Sequence, residues 1–179
     1  MSRRRSLELD DIQGLVARGY GALPFASFVL LGTADAAAAR RTLRGWVPSV
    51  TTARARPPGE AVNVALTAPG LAALAPGAAA AAGFSEQFTS GMATAYRSRL
   101  LGDTDDDDPR GWAWGGPGTQ PVHVLVLLYA DSADRLAALH GRLVEEAGDG
   151  GLLVVESLGT RTLGRDEAFG FHDGISQPR

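Results

Sequence analysis

The 179-residue chain contains no cysteine. That excludes a disulfide framework, a cysteine-ligated zinc or iron–sulfur site, and a thiol nucleophile. Lysine is absent too, since all 17 basic residues are arginine. Schiff-base chemistry and a P-loop lysine are therefore impossible. Strong charge of either sign is lacking: a net charge of −3 gives no general pull toward nucleic acid or anionic membranes. The longest apolar runs are only strand-length, so no segment reads as a membrane span. Histidine is scarce, and no two histidines stand at a metal-ligand spacing such as i, i+4, which argues against a zinc site. What remains is 45% hydrophobic and 21% charged, the composition of a soluble globular protein long enough to bury a core. Abundant alanine, 23 glycines and the arginine bias look like the imprint of a GC-rich coding sequence.

The first residues carry Arg3, Arg4 and Arg5, which invite a twin-arginine export reading. Such a signal needs an apolar core of about 7–15 residues. Leu7, Glu8, Leu9, Asp10 and Asp11 follow instead, too acidic for one. The expectation is a cytoplasmic protein, unless it travels as cargo. At the other end the chain stops at Gln177, Pro178 and Arg179, directly after its most motif-like stretch. The expectation there is a part of a longer protein.

Hydrophobic periodicity gives the elements. Pro24 to Leu31 is an apolar run bounded by turn residues and predicts a buried strand. Thr33 is the expected cap of a helix over Ala34 to Trp46, whose Ala36, Ala39, Leu43 and Trp46 share one face. Ala61 to Thr67 predicts a strand after the Pro57-Pro58-Gly59 turn. Pro69 to Leu74 suits a helical turn, Ala78 to Ala82 is a low-complexity alanine run, and Phe84 to Leu101 has helical spacing. Gly111 to Gly118 excludes regular structure. Val122 to Ala130 is the clearest strand, and the clearest helix follows it. Asp131 is its expected cap, Asp134 stands at the capping-box position, and Leu136, Leu139, Leu143 and Ala147 form its apolar face. Leu152 to Leu158 predicts a last strand.

The order is strand–helix–strand, a long insertion, then strand–helix–strand. That predicts an α+β, ferredoxin-like βαββαβ fold with an antiparallel sheet and both helices on one face. The expected boundaries are an N-terminal extension over 1–20, the ferredoxin-like domain over 21–163, and a functional loop over 164–179.

Few segments suggest chemistry. The acidic run Asp103 to Asp108 fails as a calcium loop, because its sixth position is Asp108 rather than glycine and its twelfth is Trp114 rather than glutamate. It reads as a solvated loop. His123 and His140 read as satisfied packing residues. An RNA-binding βαββαβ module needs surface aromatics on its third strand, and Val122 to Ala130 offers only Tyr129.

The informative stretch is Phe169 to Pro178, in which Asp173 lies between Gly170 and Gly174. Glycines permit close approach of backbone to a flat ligand. Phe169, Phe171 and Ile175 supply apolar walls. A lone carboxylate so placed would lose hydration, which raises its pKa and suits acid–base work at the edge of a cofactor pocket. The plain alternative is an Asx-type turn in which Asp173 caps backbone amides.

Gly170-Phe171-His172-Asp173-Gly174, extended by Ile175, Ser176, Gln177 and Pro178, resembles the Gly-x-x-Asp-Gly motif of dye-decolorizing peroxidases. Further stretches resemble that family in its order. They are Asp11-Ile12-Gln13-Gly14 with Gly19-Tyr20, Asn63 to Thr67 with Gly70-Leu71, Phe84 to Phe88 with Gly91-Met92, Leu101-Gly102-Asp103, and Trp112 to Trp114. The resemblance implies the N-terminal half of a haem b peroxidase built from two ferredoxin-like domains. It implies Asp173 as the distal acid–base residue, moving one proton between the oxygens of hydrogen peroxide. It implies Gly170, Phe171, Gly174, Ile175, Ser176 and Gln177 as the loop against the cofactor. The intact enzyme would oxidise phenolic or dye-like donors.

The family's proximal histidine and distal arginine follow this motif, and neither His123, His140 nor His172 matches the former. The axial ligand is therefore expected outside this chain, which alone should bind haem poorly. Rival readings are a deferrochelatase-like haem protein and a non-catalytic binding or assembly module. Homo-oligomerisation stays open, and neither nucleic acid nor membrane is expected as a partner.

Overall fold

The computed structural model describes residues 7–81 and 83–160. A short helix α1 (Gly14–Ala17) precedes strand β1 (Phe25–Thr33) and helix α2 (Ala36–Trp46). Strand β2 (Glu60–Leu66) leads into α3 (Ala68–Leu74), α4 (Pro76–Ala81), α5 (Glu86–Ser90) and α6 (Ala95–Leu101). Strand β3 (Val124–Ala130), helix α7 (Ala133–Asp149) and strand β4 (Leu152–Gly159) complete the order. The sheet runs β2-β3-β1-β4, with every neighbouring pair antiparallel. This is the ferredoxin-like α+β arrangement that the element order predicts, with a register shift between Leu30 and Leu31 where β1 meets β4.

Alternation along β3 decides which face is covered. Val124, Val126, Leu128 and Ala130 are fully buried, while Leu125, Leu127 and Tyr129 between them are half-buried. Val124, Val126 and Leu128 join Val29, Leu31, Val62 and Leu152 in the core. α2 closes that core with Ala39 and Trp46, and α7 with Leu139, Leu143 and Ala147. Successive side chains of a strand point to opposite faces, so the helices cover one face and leave the other to the insertion between β2 and β3.

Both expected caps lie one or two residues from their predicted places. Asp35, not Thr33, caps α2, its carboxylate accepting from the N–H groups of Ala37 and Ala38 at 2.8 and 3.1 Å. Thr33 is the last residue of β1 and donates its N–H to His123 Nδ1. Ser132, not Asp131, caps α7, its Oγ accepting from the Arg135 N–H at 3.3 Å. Asp131 pairs with the Arg135 guanidinium at 2.8 Å. A cap needs extended backbone with its oxygen over the first turn, and Ser132 has it at φ −140°, ψ 156°. The stretch Phe84 to Leu101 is not one helix. Gly91 takes φ +67°, which ends α5. Thr94 starts α6 afresh by accepting from the Arg97 N–H. No helix among the described residues is long and apolar enough to cross a membrane.

Candidate functional site

The motif singled out in the sequence lies outside the described residues. Gly170, Phe171, His172, Asp173, Gly174, Ile175, Ser176 and Gln177 all fall beyond residue 160. The remaining candidates resolve into structural roles. His123 Nδ1 accepts the Thr33 N–H at 3.0 Å, and its carbonyl accepts the Thr67 N–H at 3.1 Å. His140 Nε2 lies 3.2 Å from Ser157 Oγ. Both rings are thus engaged in tying one element to another. No group of three or more potential metal ligands occurs among the described residues.

The acidic run forms short turns of 3-10 helix over Asp105–Asp107 and Pro109–Gly111. The Arg110 guanidinium donates to both Asp108 carboxylate oxygens, at 2.9 and 2.7 Å, and the Arg110 N–H donates as well. The guanidinium first, then that N–H, pull the Asp108 carboxyl down to about 2 from its ordinary 3.8. A depressed carboxyl supports its turn above the ordinary value and ceases to do so as pH falls through the lowered one. The Asp108 side-chain carbon should therefore titrate near pH 2 by NMR. A midpoint near 3.8 would show that Arg110 does not hold it.

A groove of about 880 Å3 lies on the face of the sheet opposite α2 and α7. Phe28, Leu30, Leu125 and Leu158 form its floor. They are the alternate residues of β1 and β3, with β4, that strand geometry turns away from the helices. Phe88 and Met92 from the α5 region and Trp114 from the glycine-rich loop form its wall. These three remain 37%, 48% and 40% exposed, so the wall is apolar yet open. Phe84 and Phe88 support each other with ring centroids 4.7 Å apart. Tyr129, on the same sheet face, meets Tyr20 and Phe28 edge-on at 5.0 and 6.1 Å. Burial raises the pKa of both tyrosines.

Among the described residues, no charged side chain and no histidine lines the groove. That described lining can bind an apolar surface and holds no group to move a proton at neutral pH. Nor do its residues supply a histidine for a haem iron. The described part of the chain therefore does not by itself fit that cofactor. A signal for the groove is present in Phe84, Phe88 and Met92, whose helical spacing predicts one shared face. The break at Gly91 instead turns Phe88 and Met92 toward the sheet from two backbone segments.

No protein-family model matches the sequence, and no curated protein matches it. Solved structures do. A dye-decolorizing peroxidase in complex with 2,6-dimethoxyphenol is 26% identical with a TM-score of 0.70, over 97% of this chain and 39% of its own. AauDyP complexed with imidazole is 24% identical with a TM-score of 0.73, over 97% and 38% of the two chains. A fungal DyP-type peroxidase from Auricularia auricula-judae is 24% identical with a TM-score of 0.68, over the same shares. The chain thus spans about two fifths of the length of the solved structures it matches. Over nearly its whole length, the chain resembles the N-terminal portion of dye-decolorizing peroxidases.

Proposed function

We propose that this chain is the N-terminal portion of a haem-dependent dye-decolorizing peroxidase, which reduces hydrogen peroxide and oxidises phenolic or dye-like donors. The observation that carries this reading is the fold likeness, which extends over 97% of the chain at a TM-score of 0.70. The Gly-x-x-Asp-Gly motif supports it from the sequence. In this reading 21–163 is the ferredoxin-like unit and 164–179 carries the acid–base carboxylate toward the cofactor, with Gly170, Phe171, Gly174, Ile175, Ser176 and Gln177 beside it. When bound, haem supplies the redox chemistry. Asp173 contributes one movable proton, accepted from one oxygen of hydrogen peroxide and returned to the other as it departs.

His123 and His140 already serve as ties within the fold, to Thr33 and Ser157. The axial ligand is expected from residues outside this chain. The decisive experiment reads the coding sequence beyond Arg179, expresses the whole product with haem, and assays peroxide-dependent oxidation of 2,6-dimethoxyphenol. Turnover that needs peroxide is the expected result. A haem-loaded product that releases iron without peroxide turnover would favour deferrochelatase-like chemistry. The 179-residue chain alone is expected to give no stoichiometric Soret shift on haem titration. Tight one-to-one binding would overturn the placement of the axial ligand outside it.

A further inference from the structure

The chain has two methionines and no cysteine. One methionine is Met1, so Met92 is the only sulfur inside the sequence. Where thiols are absent, the thioether is the side chain that takes up an oxygen atom from peroxide, giving a polar sulfoxide.

The position of Met92 makes its sulfur reachable. Gly91, at φ +67°, ends α5, and Thr94 starts α6 by accepting from the Arg97 N–H. Met92 lies in the link between these helices and is 48% exposed. It stands apart from the core that α2 and α7 cover. A change at its sulfur therefore interrupts neither a helix nor the core. Its surroundings decide what such a change does. Met92 shares the groove wall with Phe88 and Trp114. The hydroxyls next to it in the chain already have acceptors. Thr89 Oγ1 donates to the Ser85 and Glu86 carbonyls, each at 3.2 Å, and Ser90 Oγ donates to the Glu86 carbonyl at 2.7 Å. A hydroxyl has one hydrogen to give, so a sulfoxide oxygen on Met92 takes its hydrogen bonds from water.

We propose that Met92 is a modification site for hydrogen peroxide and small hydroperoxides, and that its sulfoxide turns this wall of the groove from apolar to polar while the fold stands. A lone pair of the Met92 sulfur attacks one peroxide oxygen. The S–O bond forms as the O–O bond breaks, and two electrons pass from sulfur to the peroxide. The departing hydroxide takes the proton of the transferred oxygen and leaves as water. Neither metal nor haem takes part, so the inference stands apart from the peroxidase reading above.

The test treats the 179-residue chain with excess hydrogen peroxide, maps its peptides by mass spectrometry, and titrates it with Nile red, a neutral apolar dye. Met92 should gain one oxygen atom. The dye's Kd should rise at least about tenfold, the factor for setting a polar group without a partner against an apolar ligand. Methionine sulfoxide reductases A and B together should restore both mass and affinity, since each acts on one sulfoxide epimer. Circular dichroism should stay as it was. In Met92→Leu, peroxide should leave the dye's Kd where it started, whatever that starting value is. Trp114→Ala should weaken the dye before any oxidation, which places it in the groove. Oxidation of Met1 with Met92 untouched overturns the site. An oxidised Met92 with unchanged Kd, or lost circular dichroism, overturns the change of wall. So does a Met92→Leu chain that still responds to peroxide. A dye that fails to bind, or binds Trp114→Ala as tightly as the wild type, overturns the wall as an apolar surface.

Discussion

Replacing Asp173 by asparagine in the proposed haem-loaded whole product is expected to slow its reaction with hydrogen peroxide by about 10²–10⁴-fold, the usual worth of one positioned general acid–base. Asparagine matches aspartate in size and can still hydrogen-bond, so it leaves the loop's shape in place. It cannot accept a proton and hand it on. The test is a stopped-flow measurement of haem absorbance after mixing with peroxide. Haem content and resting spectrum serve as controls for folding. Asp173→Glu restores the proton carrier at a shifted position and should recover part of the rate. An unchanged rate in Asp173→Asn, with haem content intact, would remove Asp173 from the reaction and return its loop to the alternative of an Asx turn.

The second large effect is on stability. Trp46→Ala is expected to destabilise the fold by about 3–5 kcal/mol, the range for truncating a buried aromatic. Trp46 ends α2, is 6% exposed, and belongs to the same core as the α7 residues Leu143 and Ala147. Its Nε1 donates to Glu146 Oε2 at 2.7 Å, so the ring also ties α2 to α7. Truncation opens a cavity between the two helices and removes the donor that Glu146 faces. With a urea slope of about 2 kcal/mol/M, the midpoint should fall by roughly 2 M. Trp46→Phe keeps most of the apolar volume and loses the hydrogen bond, for an expected cost of about 0.5–1.5 kcal/mol beyond the packing change. A Trp46→Ala loss below 1 kcal/mol would mean that α2 and α7 hold together without this seam.

Much of the fold was legible before any coordinates, and the reasons are local. The apolar run Val122 to Ala130 reads as a strand from its own residues, and β3 does span Val124–Ala130. Ala36, Ala39, Leu43 and Trp46 recur at helical spacing, and that face does meet the core. The errors are local too. Asp35 and Ser132 took the capping roles expected of Thr33 and Asp131, because β1 and β3 shift where extended backbone begins and ends. The expected helix over Phe84 to Leu101 was broken by the left-handed backbone of Gly91, which apolar spacing does not register. As for chemistry, the Asp173 motif was visible only as sequence, and the described residues bring together an apolar groove rather than a reactive centre.

The sequence by itself determined the elements, their order and the resemblance to a peroxidase family, since these rest on neighbouring residues and short spacings. Tertiary structure alone decided the rest. The groove exists because β1, β3 and β4 turn Phe28, Leu30, Leu125 and Leu158 to one side while Trp114 reaches them from a loop. The outer edge of β2 is covered because Gln13 meets Val64 across 51 positions. Contacts over such separations depend on which strand lies beside which, and hydrophobic periodicity carries no record of that choice.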